Sequence, residues 1–145
     1  MNQDFVALLR ELRDAEARFL VVGAYALAFH ARPRATGDLD VWVEPTPGNA
    51  RRAHGALRAF GAPLGDLSID DLTQSDLVFQ IGIAPRRIDI MTSLTGLGFA
   101  EAWPHRVVGA FGDITCPFIG RAELIRNKRA LGRPRDLADL EALGE

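Results

Sequence analysis

The sequence predicts an α+β fold, α/β-like in its alternation, built as a small mixed β-sheet flanked by helices. Three observations predict it. Short apolar runs bounded by glycine or proline read as strands, and stretches with apolar residues at helical spacing lie between them. The chain has 145 residues, enough to bury one core without a metal or disulfide staple. Its 48% apolar and 25% charged residues are ordinary for a globular chain, which excludes disorder, collagen-like repeats and coiled coil.

The elements follow in order. Residues 3–17 put Phe5, Leu8, Leu9, Leu12 and Ala15 on one side and Asp4 and Glu11 on the other, an amphipathic helix. Phe19-Leu20-Val21-Val22 is a short apolar run stopped by Gly23, a buried strand. Ala24 to Ala31 is rich in alanine and leucine and reads as a short helix, broken by Pro33. Thr36-Gly37 is a turn, and Leu39 to Val43 is a second strand, closed by Pro45. Pro47 suits the first turn of a helix through Phe60. Gly61 to Ser75 has no clear period and reads as loop. Leu77 to Ile83 and Arg87 to Met91 flank Ala84-Pro85-Arg86 as a hairpin-like pair. Phe99 to Trp103 reads as a short helix. Arg106 to Ala110 and Asp113 to Pro117 make another hairpin across Phe111-Gly112. Gly120 to Leu143 reads as two helices separated by Gly132-Arg133-Pro134. No repeat or linker interrupts the series, so residues 1–145 read as one domain, its C-terminal helical segment 120–143 included.

A net charge of −2 argues against a protein that coats nucleic acid. The 16 arginines, against the single lysine Lys128, still leave room for a local basic groove. Cys116 is the only cysteine, which excludes an intrachain disulfide and a cysteine-based zinc site and suits a reducing compartment. The N-terminal segment is charged throughout, unlike a signal peptide. The longest apolar run, Phe19 to Phe29, has 11 residues, short of the about 20 a membrane span needs. These features lead us to expect a soluble cytoplasmic protein with no membrane partner.

The sharpest chemical feature is Thr36-Gly37-Asp38-Leu39-Asp40-Val41-Trp42. Alternate residues of a strand share a face, so Asp38 and Asp40 point one way and Leu39, Val41 and Val43 the other. Paired carboxylates repel, which raises a proton affinity or calls for a cation, and hard oxygen ligands suit Mg²⁺ or Mn²⁺. The plainer reading is a turn cap at Asp38 and an exposed Asp40. Arg87-Ile88-Asp89-Ile90 supplies a third carboxylate on a strand-like segment. If the two strands are neighbours, Asp38, Asp40 and Asp89 share a face. Such a set can hold two divalent ions about 3.5–4 Å apart, the arrangement used for phosphoryl transfer. The alternative is a surface Asp89 paired with Arg86 or Arg87. Gly23, between strand and helix, allows a phosphate to approach free N–H groups, or simply makes a tight turn. Lys128 lies at the edge of the apolar stripe of Leu124, Ile125 and Leu131, within reach of a cleft. Asp136 and Asp139 follow Pro134, where helix-dipole capping is the simpler role. His30, His54 and His105 lack ligand spacing, Trp42 and Trp103 read as core or pocket wall, and Cys116 reads as buried filler.

Taken together, these segments resemble the polymerase-β-like nucleotidyltransferase superfamily, and more finely its minimal AbiEii-like toxin branch and relatives. Val21-Val22-Gly23-Ala24-Tyr25-Ala26-Leu27 with Pro33 to Asp40 looks like the first motif, and Arg87-Ile88-Asp89-Ile90 like the second. Lys128 with Gly132-Arg133-Pro134-Arg135-Asp136 looks like the C-terminal lysine-arginine-aspartate segment. The resemblance implies a nucleotidyltransferase fold and transfer of a nucleoside monophosphate from an NTP to a hydroxyl of RNA or protein. It implies two Mg²⁺ (or Mn²⁺) ions on Asp38, Asp40 and Asp89, with Asp89 serving activation of the acceptor. Gly23 and Ala24 would cradle phosphates through their amides, although many relatives have glycine or serine where this chain has Ala24. Lys128, with Arg34 and Arg133, would neutralise the triphosphate; Thr36 would bind phosphate or cap its turn, and Asp136 would orient Lys128 or Arg133. A toxin–antitoxin component with a cognate partner is the implied setting. The alternative is a non-catalytic antitoxin, regulator or nucleotide-binding relative on the same fold.

Overall fold

The computed structural model describes residues 2–32 and 37–145. Arg34 and Thr36, two of the predicted phosphate-binding residues, lie outside the described residues. Helix α1 (Gln3–Asp14) starts at Asn2, whose Oδ1 accepts from the backbone N–H of Asp4 at 2.8 Å and of Phe5 at 3.2 Å. Its Phe5, Leu8, Leu9 and Leu12 are buried, as the helical spacing predicts. Strand β1 (Phe19–Val22) is buried at all four positions and runs directly into α2 (Gly23–His30). Strand β2 (Leu39–Val43) is followed by α3 (Pro47–Phe60), which opens on Pro47 and stops at Gly61. Next come β3 (Val78–Ile81), β4 (Ile88–Met91) and the single-turn α4 (Phe99–Ala102). Strands β5 (Val107–Phe111) and β6 (Ile114–Phe118) lead to α5 (Arg121–Leu131) and α6 (Pro134–Ala142).

The six strands form one mixed sheet in the order β3-β4-β2-β1-β6-β5. β2 pairs antiparallel with β1 and parallel with β4; β1 pairs parallel with β6; the two outer pairs, β3–β4 and β5–β6, are antiparallel hairpins. The central strands have both faces covered, which is why β1 reads as an unbroken apolar run rather than an alternating one. Leu39, Val41 and Val43 of β2 are fully buried, and Trp42 on its opposite face is 1% exposed. Helix α1 packs on α3 and reaches β6, while α2 lies against β1 and β2 and touches α5. Buried Asn49 of α3 ties this layer to the sheet. Its Nδ2 donates to the carbonyls of Arg18 (3.0 Å) and Glu44 (2.9 Å), and its Oδ1 accepts from the Arg18 N–H at 2.6 Å. With its donors and acceptor occupied, the desolvation cost of burying this amide is offset by its hydrogen bonds.

Boundary differences have local causes. Helix α1 ends at Asp14 because Glu16 takes a left-handed φ of 57° and the Ala17 N–H turns back to the Leu12 carbonyl. The second hairpin sits one residue later than the sequence suggests. Phe111 is paired with Ile114 and buried against Tyr25 and Phe118, leaving Gly112-Asp113 as the turn. Burying a phenyl ring outweighs the preference for a shorter strand. The segment Gly61 to Ser75 is irregular, yet it carries a 3₁₀ turn at Asp71–Thr73 that seats Leu72 fully in the core. Among the described residues, no helix is long and apolar enough to cross a membrane.

Candidate active site

The parallel pairing of β2 and β4 makes Asp40 and Asp89 register partners, so their side chains leave neighbouring strands on the same face. Asp38 stands just before β2, where its Oδ1 accepts the Arg87 backbone N–H at 2.9 Å. The ladder continues there, since the Leu39 N–H donates to the Arg87 carbonyl at 2.9 Å. The three carboxylates therefore converge, and the Arg87 guanidinium stands among them. Arg87 Nε donates to Asp89 Oδ1 at 2.8 Å, and its Nη2 lies 3.3 Å from Asp89 Oδ2 and 3.4 Å from Asp38 Oδ2. Asp40 takes no part in this pairing. Its carboxyl is pushed up to about 7, first by burial and then by the negative charges of Asp89 and Asp38. Among the described residues, no three His, Cys, Asp or Glu side chains stand in ligating positions for a metal ion.

Gly23 has a steric task at the sheet. It adopts φ +66°, and a Cβ on it would lie 2.1 Å from Asp40 Oδ2. The missing side chain makes room for the Asp40 carboxylate itself, since Val22 and Asp40 are register partners on β1 and β2. Helix α2 begins at this glycine with no side-chain cap, so its first N–H groups, with Gly23 and Ala24, edge the same cavity.

The opposite wall comes from α5 and α6. Lys128 is 8% exposed and pairs with Asp139 at 3.0 Å and more loosely with Asp136 at 3.6 Å. Asp136 is fully buried. Its Oδ2 accepts from the Arg133 backbone N–H at 3.1 Å and from Arg133 Nε at 2.6 Å, which holds its carboxyl near 2. The capping and orienting roles foreseen for Asp136 thus coincide in one side chain. Asp139 departs from the expectation: it lies beyond the first turn of α6 and serves Lys128, not the helix terminus.

A cavity of about 640 Å³ separates the acidic and basic walls. Asp38, Asp40, Asp89, Arg87, Lys128 and Arg133 line it, together with Asn127, Arg135 and Asp139, which the sequence reading did not single out as site residues. Arg135 makes no ion pair among the described residues. Buried Asn127 donates its amide to the Thr95 carbonyl at 2.9 Å and borders the apolar end made by Met91, Leu94 and Leu131. A polar face on a strand and a cation one helical turn from another are readable locally. The approach of α6 to α5, set by Gly132 at φ +63°, is not. Trp42 is core, and Trp103 lies outside the cavity under the Arg106 guanidinium at 4.0 Å. His30 and His54 contact the carbonyls of Ile119 (2.6 Å) and Leu67 (3.0 Å), and Cys116 is buried with its thiol pushed up to about 12.

No protein-family model matches the sequence, and no curated protein matches it. Among solved structures, the chain is similar to a candidate nucleotidyltransferase from Thermotoga maritima, TM1012, with 14% identity and a TM-score of 0.59. The match covers 97% of this chain and 92% of that one. At that identity the likeness is one of architecture, and the mixed six-stranded sheet flanked by helices is a nucleotidyltransferase-like fold.

Proposed function

We propose that this chain is a divalent-metal-dependent nucleotidyltransferase that moves a nucleoside monophosphate from an NTP to a hydroxyl group. The observation that carries the reading is the cavity with an acidic sheet wall facing a basic helical wall beside the start of α2. A nucleoside triphosphate presents both needs, phosphate charge for the cations and a metal for the carboxylates.

The donor set fits Mg²⁺ or Mn²⁺ by its chemistry. Three carboxylate groups gather around the Arg87 guanidinium, and the raised proton affinity of Asp40 marks a concentration of negative charge that Arg87 offsets only in part. Asp38, Asp40 and Asp89 would hold the metal, which supplies charge neutralisation at the phosphates and a lowered pKa for the acceptor hydroxyl. The remaining work falls to the chain. Arg135 and Lys128 offer positive charge to the triphosphate, with Arg133 held in place by Asp136. The amides of Gly23 and Ala24 at the uncapped start of α2 favour a phosphate oxygen. The sheet carries the carboxylates on a rigid frame, which limits reorganisation as charge develops on the transferring phosphorus.

The finer parts of the proposal rest on the motif resemblance: membership of the AbiEii-like branch, an RNA or protein acceptor, and a toxin–antitoxin role in the cytoplasm. A second reading, nucleotide binding without transfer, is favoured by the occupation of Asp38 and Asp89 by Arg87. It predicts NTP binding that is insensitive to loss of Asp89. The deciding experiment is calorimetric titration of the four NTPs with and without Mg²⁺ on the wild type, on Asp38→Ala/Asp40→Ala and on Asp89→Ala. Metal-dependent binding that is lost in the double variant supports the transferase. Binding that ignores the metal and Asp89 supports the second reading, and no binding to the wild type overturns both.

A further inference from the structure

We infer that Arg87 is a built-in counterion of the carboxylate cluster, and that a divalent ion enters only by displacing its guanidinium. The inference rests on the metal-dependent reading above and adds the step that precedes metal loading. Arg87 and Asp89 are two apart along the chain entering β4, so their side chains share a face and pair without help from other elements. The same guanidinium reaches across to Asp38, so one cation draws on oxygens from both strands. Those oxygens are the hard donors a divalent ion would need, and they are already engaged as acceptors.

The backbone around Arg87 shows that displacement concerns the side chain alone. Its N–H donates to Asp38 Oδ1, and its carbonyl accepts from Leu39, each at 2.9 Å. These bonds keep Asp38 and β4 in place whether or not the guanidinium stays. The side chain retains 32% exposure, which leaves it a route into the cavity. A guanidinium released there keeps a planar fork suited to phosphate. By contrast, among the described residues Lys128 pairs with Asp136 and Asp139, and Arg133 with Asp136, all on the far wall.

The test is direct titration with Mn²⁺ alone, read from the electron paramagnetic resonance of the free ion, on the wild type, Arg87→Gln and Arg87→Lys. Thermal unfolding checks that each variant is folded. Removing a partly exposed competing charge predicts Mn²⁺ binding tighter by about tenfold in Arg87→Gln. Arg87→Lys, which keeps the charge but loses the fork, should fall between the two. Asp89→Asn should weaken the ion in every background. Equal or weaker binding in Arg87→Gln overturns the counterion while leaving the metal site standing. Absence of binding in wild type and variants alike overturns the metal site and the counterion together.

Discussion

Replacing Asp40 by Asn should stabilise the metal-free protein. The substitution keeps the shape of the side chain and removes a charge that the fold disfavours. In the folded state the Asp40 carboxyl lies at about 7, against an ordinary 3.8, because burial and the charges of Asp89 and Asp38 oppose ionisation. The folded protein therefore holds this proton more tightly than the unfolded chain does. The stability that Asp40 contributes is present below 3.8, falls as pH rises to about 7 and does not recover above it. At about 1.4 kcal/mol per pH unit, the separation corresponds to roughly 4 kcal/mol, which water at the half-buried carboxylate reduces to roughly 2–3 kcal/mol. In a domain of this size that is a rise of roughly 6–9 °C in Tm. The assay is thermal unfolding by circular dichroism in a chelator, at pH 8.5 and at pH 4.5. The variant should be clearly more stable at the higher pH, and its advantage should shrink at the lower one. A variant no more stable than wild type at pH 8.5, or equally favoured at both values, would refute the reasoning.

Two further predictions follow from the walls of the cavity. Gly23→Ala drives a Cβ to within 2.1 Å of Asp40 Oδ2 at a φ of +66°, so it should cost about 2–3 kcal/mol in urea unfolding; a loss under about 1 kcal/mol would show that the Asp40 side chain moves aside freely. Asp136→Ala removes the acceptor of three Arg133 bonds and one neighbour of buried Lys128, and should cost about 2–4 kcal/mol at pH 7. Because the Asp136 carboxyl is held down near 2, chiefly by Arg133, its contribution is present above 3.8 and is lost as pH falls toward 2, so wild type and variant should converge over that interval in acid titrations of stability.

The acidic half of the site was legible in the sequence because it obeys a local rule. Asp38, Asp40 and Asp89 sit at alternate positions beside strand-like apolar residues, and two-residue periodicity decides which face they occupy. The parallel contact of β2 with β4 was only a condition in that reading, since nothing local dictates which strand will be the neighbour. Arg87 illustrates the limit: as a residue beside an aspartate it reads as an ordinary surface pair, and only the approach of Asp38 makes it central. Asp139 reads as a helix-start carboxylate until the turn at Gly132 folds α6 back and sets it 3.0 Å from Lys128. Gly23 is readable as a turn, but the space it leaves for Asp40 is not, because that space depends on the antiparallel register of β1 and β2.

The order of the cavity walls along the chain bears on biosynthesis. Every sheet carboxylate of the site has been made by the end of β4, whereas Lys128, Arg133 and Arg135 follow only after β5 and β6. At about 5–20 residues per second, a ribosome leaves the acidic face without its basic wall for an interval of seconds. A cation two residues from Asp89 emerges with it, so Arg87 is already there to pair with that face while the rest of the chain is still being added.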